Sequence, residues 1–190
     1  MGLSWIPNAI TIARLFLAAP LAWTILADRP ALALQLCVVA AFSDALDGLL
    51  ARRFGWRSRL GGLLDPMADK LMLLACYASL AAIGGAPVWL FWLVLGRDFV
   101  IVAGAVAYHN FVGPLDAEPS RLSKVTTCLQ IALAVALLAE RLPAVAMPQW
   151  LHAGLLWTTA IATLASGLHY VVVWTAKTRR ARAARGGNAA

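Results

Sequence analysis

The chain has 190 residues, of which 62% are hydrophobic and only 13% are charged, and its mean hydropathy is +0.76. Soluble domains carry about 25% charged residues, so this composition excludes an ordinary soluble domain and indicates a membrane protein. The net charge of +7 would suggest a nucleic-acid partner in a soluble protein. Here the basic residues lie between apolar runs and at the C-terminus, which favours contact with membrane lipids and argues against nucleic acid.

Six apolar segments follow one another along the chain, separated by Gly, Pro and charged residues. Each is long enough for a helix to cross about 30 Å of hydrocarbon. We therefore predict an all-α, multi-pass integral membrane protein with about six transmembrane helices. The segments are 9–27, 31–54, 62–84, 87–109, 122–140 and 150–175. Residues 1–176 would form a single transmembrane domain, and the basic tail at 177–190 is expected to be loose.

The positive charges predict the orientation of these helices. Eleven of the 16 Lys and Arg residues fall on one side of the predicted membrane, in the connections after the second and fourth segments and in the tail. Only Arg29 and Arg141 fall on the other side. Because cytoplasmic loops carry an excess of positive charge, both termini are expected in the cytosol.

Four of the nine acidic residues lie between Ser43 and Lys70, at or near membrane depth, where a carboxylate is costly unless it is paired, hydrated or bound to a cation. Asp44 and Asp47 are three residues apart and share a helix face, and Asp65 and Asp69 are four apart. Hard oxygen ligands favour Mg²⁺, Mn²⁺ or Ca²⁺, and two such ions are a recurring device in phosphoryl chemistry. Simple pairing with nearby arginines, or an ion pathway, are the alternative interpretations.

Small residues accompany the carboxylates. Gly48, Ala51 and Arg52 continue the face of Asp44, leaving room for a flat ligand and supplying a planar fork suited to phosphate. Residues 44–69 read Asp-x2-Asp-Gly-x2-Ala-Arg-x8-Gly-x3-Asp-x3-Asp, in which the glycine after the eight-residue gap is Gly61. At every fixed position the pattern resembles the signature of the CDP-alcohol phosphatidyltransferase family. The length and six-segment pattern are also similar to that family.

The resemblance implies a reaction and a site. A phosphatidyl group would move from CDP-diacylglycerol to an alcohol, with release of CMP, at a site facing the cytosol. Metal ligands would be Asp44, Asp47, Asp65 and Asp69, holding two Mg²⁺ or Mn²⁺ ions, and Asp69 would also be the catalytic base. Contacts to the CDP-lipid would come from Asn8, Thr11, Gly48, Ala51, Arg52, Ser58 and Gly61. The family also implies a homodimer.

The acceptor alcohol is predicted from two further segments. Ser123-Lys124-x2-Thr127-x2-Gln130 resembles the glycerol-type branch, which contains phosphatidylglycerophosphate synthases and CDP-dependent cardiolipin synthases. With Arg121, it offers an anion site for an acceptor phosphate; the alternative is a purely topological role for these charges. Arg97 and Asp98 are either a buried self-neutralising pair or a wall of the acceptor pocket. An Arg-Asp pair here favours the cardiolipin synthase-like branch.

The expected activity is therefore phosphatidyl transfer to glycerol 3-phosphate, giving phosphatidylglycerol phosphate, or to phosphatidylglycerol, giving cardiolipin. Transfer to inositol phosphate, serine or choline is a second hypothesis. A divalent-cation transporter is a third, and the completeness of the motif argues against it.

Overall fold

The computed structural model describes the backbone of residues 6–54, 59–111 and 120–187, and the side chains of 12–13, 15–43, 68–108 and 120–177. Within these ranges the only regular secondary structure is α-helix and there is no strand, which confirms the all-α part of the predicted fold class. Each predicted apolar segment corresponds to one helix. The helices are α1 (Ile6–Leu26), α2 (Pro30–Phe54), α3 (Arg59–Ala82), α4 (Val88–Phe111), α5 (Arg121–Ala139) and α6 (Gln149–Gly187).

Two of the helices end where the backbone turns into the left-handed region. Asp28, at φ 53°, follows α1, and the backbone amide of Arg29 donates to the carbonyl of Thr24 at 2.9 Å. Gly84, at φ 71°, follows α3, and the amide of Gly85 donates to the carbonyl of Leu80 at 2.7 Å. Such turns satisfy the last carbonyls of a helix, and Gly and Asp are residues that tolerate positive φ.

Three helices are long and apolar enough to cross a membrane in the part of the chain described: Val88–Tyr108, Arg121–Ala139 and Gln149–Lys177. Shorter apolar helical stretches cover Leu15–Leu26 and Pro30–Ser43. Large apolar side chains such as Phe99, Trp92 and Ile161 lie on the outer surface, as expected where lipid replaces water. The full count of six spans and the cytosolic termini stay predictions.

The expectation of a loose tail is wrong for the backbone as far as Gly187. α6 continues without a break through the basic segment and has 39 residues, about 58 Å at 1.5 Å per residue. Ala and Arg, which dominate residues 179–185, are strong helix formers, and extending an existing helix avoids the unfavourable nucleation step. Composition alone identified the charge of the tail but not its conformation.

The chain divides into two compact units. Unit 1 comprises Met1–Phe91 and Ile131–Gln149, and unit 2 comprises Trp92–Gln130 and Trp150–Ala190. In unit 1, α1 packs against both α2 and α3 around an apolar core that includes Leu21, Ile25, Tyr77 and Leu80. In unit 2, by contrast, many of the buried side chains are polar; they are Arg97, Ser123, Thr126, Gln130, Thr159, Thr163 and Ser166. Whether residues 1–176 act as a single domain stays a prediction.

Candidate active site

The four aspartates of the motif all lie on helical backbone in unit 1. Asp44 and Asp47 belong to α2, and Asp65 and Asp69 belong to α3. Spacings of three and four residues therefore place each pair on one helix face, as the sequence predicted. The side chain of Asp69 is described and exposed. The side chains of Asp44, Asp47 and Asp65 lie outside the described residues, so convergence of the four carboxylates stays a prediction.

Most residues predicted to contact the CDP-lipid share these helices or the helix packed against them. Gly48, Ala51 and Arg52 lie on helical backbone of α2, and Gly61 lies near the start of α3. Asn8 and Thr11 belong to α1, which packs against α2 and α3, so unit 1 brings together the three helices that carry the predicted site. The side chains of these six residues, and Ser58 altogether, lie outside the described residues.

The donor set in this stretch fits a divalent metal ion with hard-ligand chemistry. The candidate ligands are carboxylates only, on two helices joined by a short connection, and the Asp69 side chain is exposed. Mg²⁺ and Mn²⁺ prefer oxygen ligands, and several carboxylates close together need a cation to offset their repulsion. The residues present therefore fit such an ion, and its number and geometry stay predictions.

The predicted acceptor residues lie in unit 2, where Arg97 of α4 is the centre of a buried polar network. Its side chain is only 3% exposed, and its Nη1 lies 2.6 Å from the Asp98 carboxylate. Its Nη2 donates to the hydroxyls of Ser123 on α5 and of Ser166 on α6, the latter at 3.2 Å. Its Nε lies 3.4 Å from the same Ser166 hydroxyl. The network joins three helices and pairs the Arg97 guanidinium with a carboxylate.

This arrangement supports the self-neutralising interpretation of the Arg97–Asp98 pair. A buried guanidinium needs a counterion and hydrogen-bond acceptors to offset desolvation, and the network supplies both. Asp98 is 18% exposed, so its carboxylate is the more accessible member of the pair. The assignment of Arg97 as an acceptor ligand stays a prediction.

The first turn of α5 separates the predicted acceptor residues into two groups. Ser123 is buried, whereas Arg121 and Lys124 are exposed. Ser120 caps the helix, because its hydroxyl accepts from the Ser123 amide at 3.1 Å. The exposed group is the part of this segment that a ligand could reach.

Sequence reasoning missed three members of this region: Ser120, Ser166 and Tyr170. The backbone amide of Ser120 donates to the Tyr170 hydroxyl of α6 at 3.3 Å, and Ser166 binds the Arg97 guanidinium. Ser166 and Tyr170 are four residues apart in α6 and so share a face. A polar pair at that spacing inside an apolar span is the one signal that could have identified them.

Comparison with known proteins covers nearly the whole chain. The family model described as CDP-alcohol phosphatidyltransferase matches residues 4–177. The human cardiolipin synthase (CMP-forming) is 32% identical over 182 residues, covering 87% of this chain and 60% of the relative. The CDP-diacylglycerol–glycerol-3-phosphate 3-phosphatidyltransferase of Bacillus subtilis is 31% identical over 183 residues, covering 87% of this chain and 92% of the relative. The chain thus spans about 60% of the human relative's length.

A solved structure has a similar fold. The phosphatidylinositol phosphate synthase of Mycobacterium tuberculosis, crystallised with CDP-DAG bound, matches with a TM-score of 0.61 and 18% sequence identity. The match covers 88% of this chain and 85% of that one. At this identity the similarity establishes the helical fold and leaves the acceptor undetermined.

Proposed function

Because the chain belongs to the CDP-alcohol phosphatidyltransferase family, we propose that it transfers the phosphatidyl group of CDP-diacylglycerol to a hydroxyl of a glycerol-type acceptor. The observation that carries this proposal is the complete aspartate motif on α2 and α3, with its carboxylates at helical spacings of three and four residues. Residues 1–176 would act as one catalytic domain, with the basic residues of 177–190 next to anionic lipid.

In the proposed reaction, Asp69 accepts the proton of the acceptor hydroxyl. The hydroxyl oxygen attacks the phosphorus on the lipid side of CDP-diacylglycerol and forms the new phosphodiester bond. The bond from that phosphorus to the oxygen bridging the two phosphates breaks, and CMP leaves with that oxygen. The exposure of Asp69 suits a proton acceptor that must meet a substrate and later release its proton to water.

Asp44, Asp47, Asp65 and Asp69 would hold Mg²⁺ or Mn²⁺, with two ions proposed. Bound there, the metal would offset negative charge on the phosphates, which a carboxylate base alone cannot do. Arg52, on the same helix face as Gly48 and Ala51, would contact phosphate, while the two small residues leave space for the CDP group. Asn8, Thr11, Ser58 and Gly61 would complete the CDP-lipid contacts.

Phosphatidylglycerol is the first candidate acceptor, with cardiolipin as the product. The Arg97–Asp98 pair supports this choice, because the Arg97 guanidinium is already engaged by a counterion and hydroxyl partners and is less available to a phosphate monoester. The Asp98 carboxylate, 18% exposed, is a hydrogen-bond acceptor that could contact a glycerol headgroup.

Glycerol 3-phosphate is the second candidate acceptor. The exposed cations Arg121 and Lys124 favour it, since they could bind a doubly charged phosphate, and the Bacillus subtilis relative is named for that acceptor. The two candidates differ in where the acceptor enters, because a lipid approaches within the membrane and glycerol 3-phosphate approaches from water.

We further propose six transmembrane spans with both termini and the active site on the cytosolic side. The distribution of Lys and Arg supports the orientation, and the match of six helices to six apolar segments supports the number. A homodimer is proposed from the family alone.

The test is an acceptor comparison with the purified full-length protein in nanodiscs. CDP-diacylglycerol and Mg²⁺ or Mn²⁺ would be incubated with phosphatidylglycerol, glycerol 3-phosphate, inositol phosphate, serine, choline or no acceptor, and CMP and lipid products quantified. We expect CMP with cardiolipin, and none after chelation of the metal. Phosphatidylglycerol phosphate as the product would select the second candidate. A folded protein that releases no CMP with any acceptor would overturn the proposed transferase activity. Divalent-cation flux would then be measured in liposomes to test the transporter hypothesis.

A further inference from the structure

Hydrogen bonds connect the first part of α5 to α6 in a regular order. The Ser120 amide meets the Tyr170 hydroxyl, and Ser123 and Ser166 share the Arg97 guanidinium. Further along, the Thr126 hydroxyl, 2.8 Å from the Leu122 carbonyl of its own helix, also lies within hydrogen-bond distance of the Ala162 carbonyl of α6, at 3.2 Å. Residue numbers fall in α6 as they rise in α5, so these parts of the two helices run antiparallel. The contacts form a polar seam, which we define as the buried or half-buried polar contacts of 120–130 with 159–170.

The two contacts at one end of the seam act on the first turn of α5. Tyr170 holds the capping residue, Ser120, and Ser166 holds Ser123 through Arg97. Both α6 residues lie on one face, one turn apart, so together they fix the start of α5 at two successive points. A single hydrogen bond would still allow that turn to pivot, whereas two points restrict its rotation.

The same turn carries the exposed cations. Arg121 and Lys124 alternate with the fixed residues Ser120 and Ser123, so the position of the cations follows from that of the turn. The shared guanidinium is well suited to this task. Its side chain is only 3% exposed, and its three nitrogens reach three partners in a planar fork, which holds them in a defined geometry.

We propose that Ser166 and Tyr170 are positioning residues for the acceptor: with Arg97 they fix the first turn of α5, so that Arg121 and Lys124 stand ready to bind it. The proposal rests on the proposed function, which assigns acceptor contacts to those two cations. Neither Ser166 nor Tyr170 touches a reacting atom in it. Substitution of either residue should therefore weaken acceptor binding and leave the binding of the CDP-lipid unchanged.

The test uses Ser166→Ala and Tyr170→Phe in the full-length protein in nanodiscs, with Thr159→Val as the matched control. Thr159 lies seven residues before Ser166 on the same face of α6, and its hydroxyl makes another contact of the seam, to the Leu129 carbonyl at 3.4 Å. The control thus removes a seam hydrogen bond away from the start of α5. Ser166→Thr, which keeps the hydroxyl, is the rescue variant.

Two readouts are expected to agree. Hydrogen exchange at the backbone amides of 121–125 should accelerate in Ser166→Ala and Tyr170→Phe and stay unchanged in Thr159→Val. The KM for phosphatidylglycerol or glycerol 3-phosphate should rise roughly threefold to tenfold in the first two variants, with the KM for CDP-diacylglycerol unchanged. Ser166→Thr should restore most of the wild-type value.

Two results would overturn the proposal. One is unchanged exchange at 121–125 in Ser166→Ala and Tyr170→Phe, which needs no activity to be observed. The other is an equal rise of both KM values, or the same rise in Thr159→Val, because either would mean general loosening of the helices. A wild-type protein that forms no product with any acceptor would instead overturn the proposed function, and the exchange data would still decide whether the turn is held.

Discussion

Each unit contains an arginine–aspartate ion pair, and the two pairs differ far more in their surroundings than in their length. In unit 2, Arg97 and Asp98 are 2.6 Å apart, with side chains 3% and 18% exposed. In unit 1, Arg141 and Asp28 are 2.8 Å apart, with side chains 27% and 69% exposed. The second pair is therefore much more accessible to its surroundings than the first. The comparison teaches that burial, not contact distance, decides how much such a pair matters.

The contrast extends to the helices around each pair. Buried side chains of unit 1 are mainly apolar, such as Leu21 and Leu80, while unit 2 buries the polar seam and Arg97. Lipid tails are as apolar as leucine, so in a membrane apolar packing gains little from exclusion of water, and hydrogen bonds between helices help to specify which faces meet.

The largest expected effect is on catalysis, and it should distinguish Asp69 from Asp28, another aspartate of unit 1. Asp69→Asn removes the proposed base and one metal ligand, so CMP release should fall by about 10²–10⁴-fold. Asp28→Asn, an exposed aspartate in the same unit, is the control and should keep near-wild-type activity. The measurement is CMP formed per minute from CDP-diacylglycerol and phosphatidylglycerol. Full activity of Asp69→Asn would show that the base is another group.

The next effect concerns the buried pair. Arg97→Met leaves Asp98 without its counterion and removes the guanidinium from Ser123 and Ser166, so we expect a loss of about 3–5 kcal/mol in the free energy of unfolding. Reversible unfolding in mixed detergent micelles would measure it. The double variant Arg97→Met/Asp98→Leu should recover most of the loss. A double variant no more stable than the single one would mean that the serine contacts, and not the charge, dominate.

A smaller effect tests close packing in unit 2. A Cβ added at Gly104 of α4 would lie 2.9 Å from Cδ1 of Trp174 in α6, and the rigid indole also contacts Tyr108, at 5.2 Å between ring centroids. Gly104→Ala should therefore lower the free energy of unfolding by about 1–2 kcal/mol, after its gain in helix propensity. Gly96→Ala, on the same helix with nothing within 4 Å, is the control and should be neutral or slightly stabilising. Equal free energies of unfolding for the two variants would contradict the close approach of Gly104 to Trp174.

Individual seam hydrogen bonds should matter less. The Gln130 side-chain amide donates to the Thr163 hydroxyl at 3.0 Å, and both residues are buried. Hydrogen bonds between transmembrane helices contribute about 0.6 kcal/mol on average, so Thr163→Val should destabilise by roughly that amount. Thr175→Val, whose exposed hydroxyl bonds only within its own helix, is a matched substitution and should have no effect on unfolding. A loss of several kcal/mol in Thr163→Val would place the seam among the main determinants of stability.

The exposed pair should give the smallest effect. Arg141→Met should lower the free energy of unfolding by about a few tenths of a kcal/mol, because solvent and salt screen an ion pair whose aspartate is 69% exposed. Repeating the measurement at high salt should reduce the difference further. If Arg141→Met lowered the free energy of unfolding as much as Arg97→Met, exposure would not be what distinguishes the two ion pairs.

Much of the fold and the chemistry of the motif could be predicted from the sequence because both depend on local spacing. Apolar runs of membrane length, ended by Gly, Pro and charge, predicted six helices within a few residues of their bounds, except at the end of α6, which continues to Gly187. The aspartate motif spans 26 positions, and helical periodicity alone puts its members on shared faces. Charge, too, is read directly, which is how the basic tail was found, although its helical conformation was not.

The tertiary structure alone decided which distant polar residues meet. Asp98 could be proposed as a partner of Arg97 because it is adjacent, but Ser166 is 69 residues away, and its position in the sequence does not show that it meets Arg97. Tyr170 and Ser120 are 50 residues apart and carry no mark of their contact. A hydrogen bond forms only within about 3 Å, so its partner depends on which helix faces pack together and in which register. Periodicity assigns residues to faces, and the packing of α4, α5 and α6 assigns faces to each other.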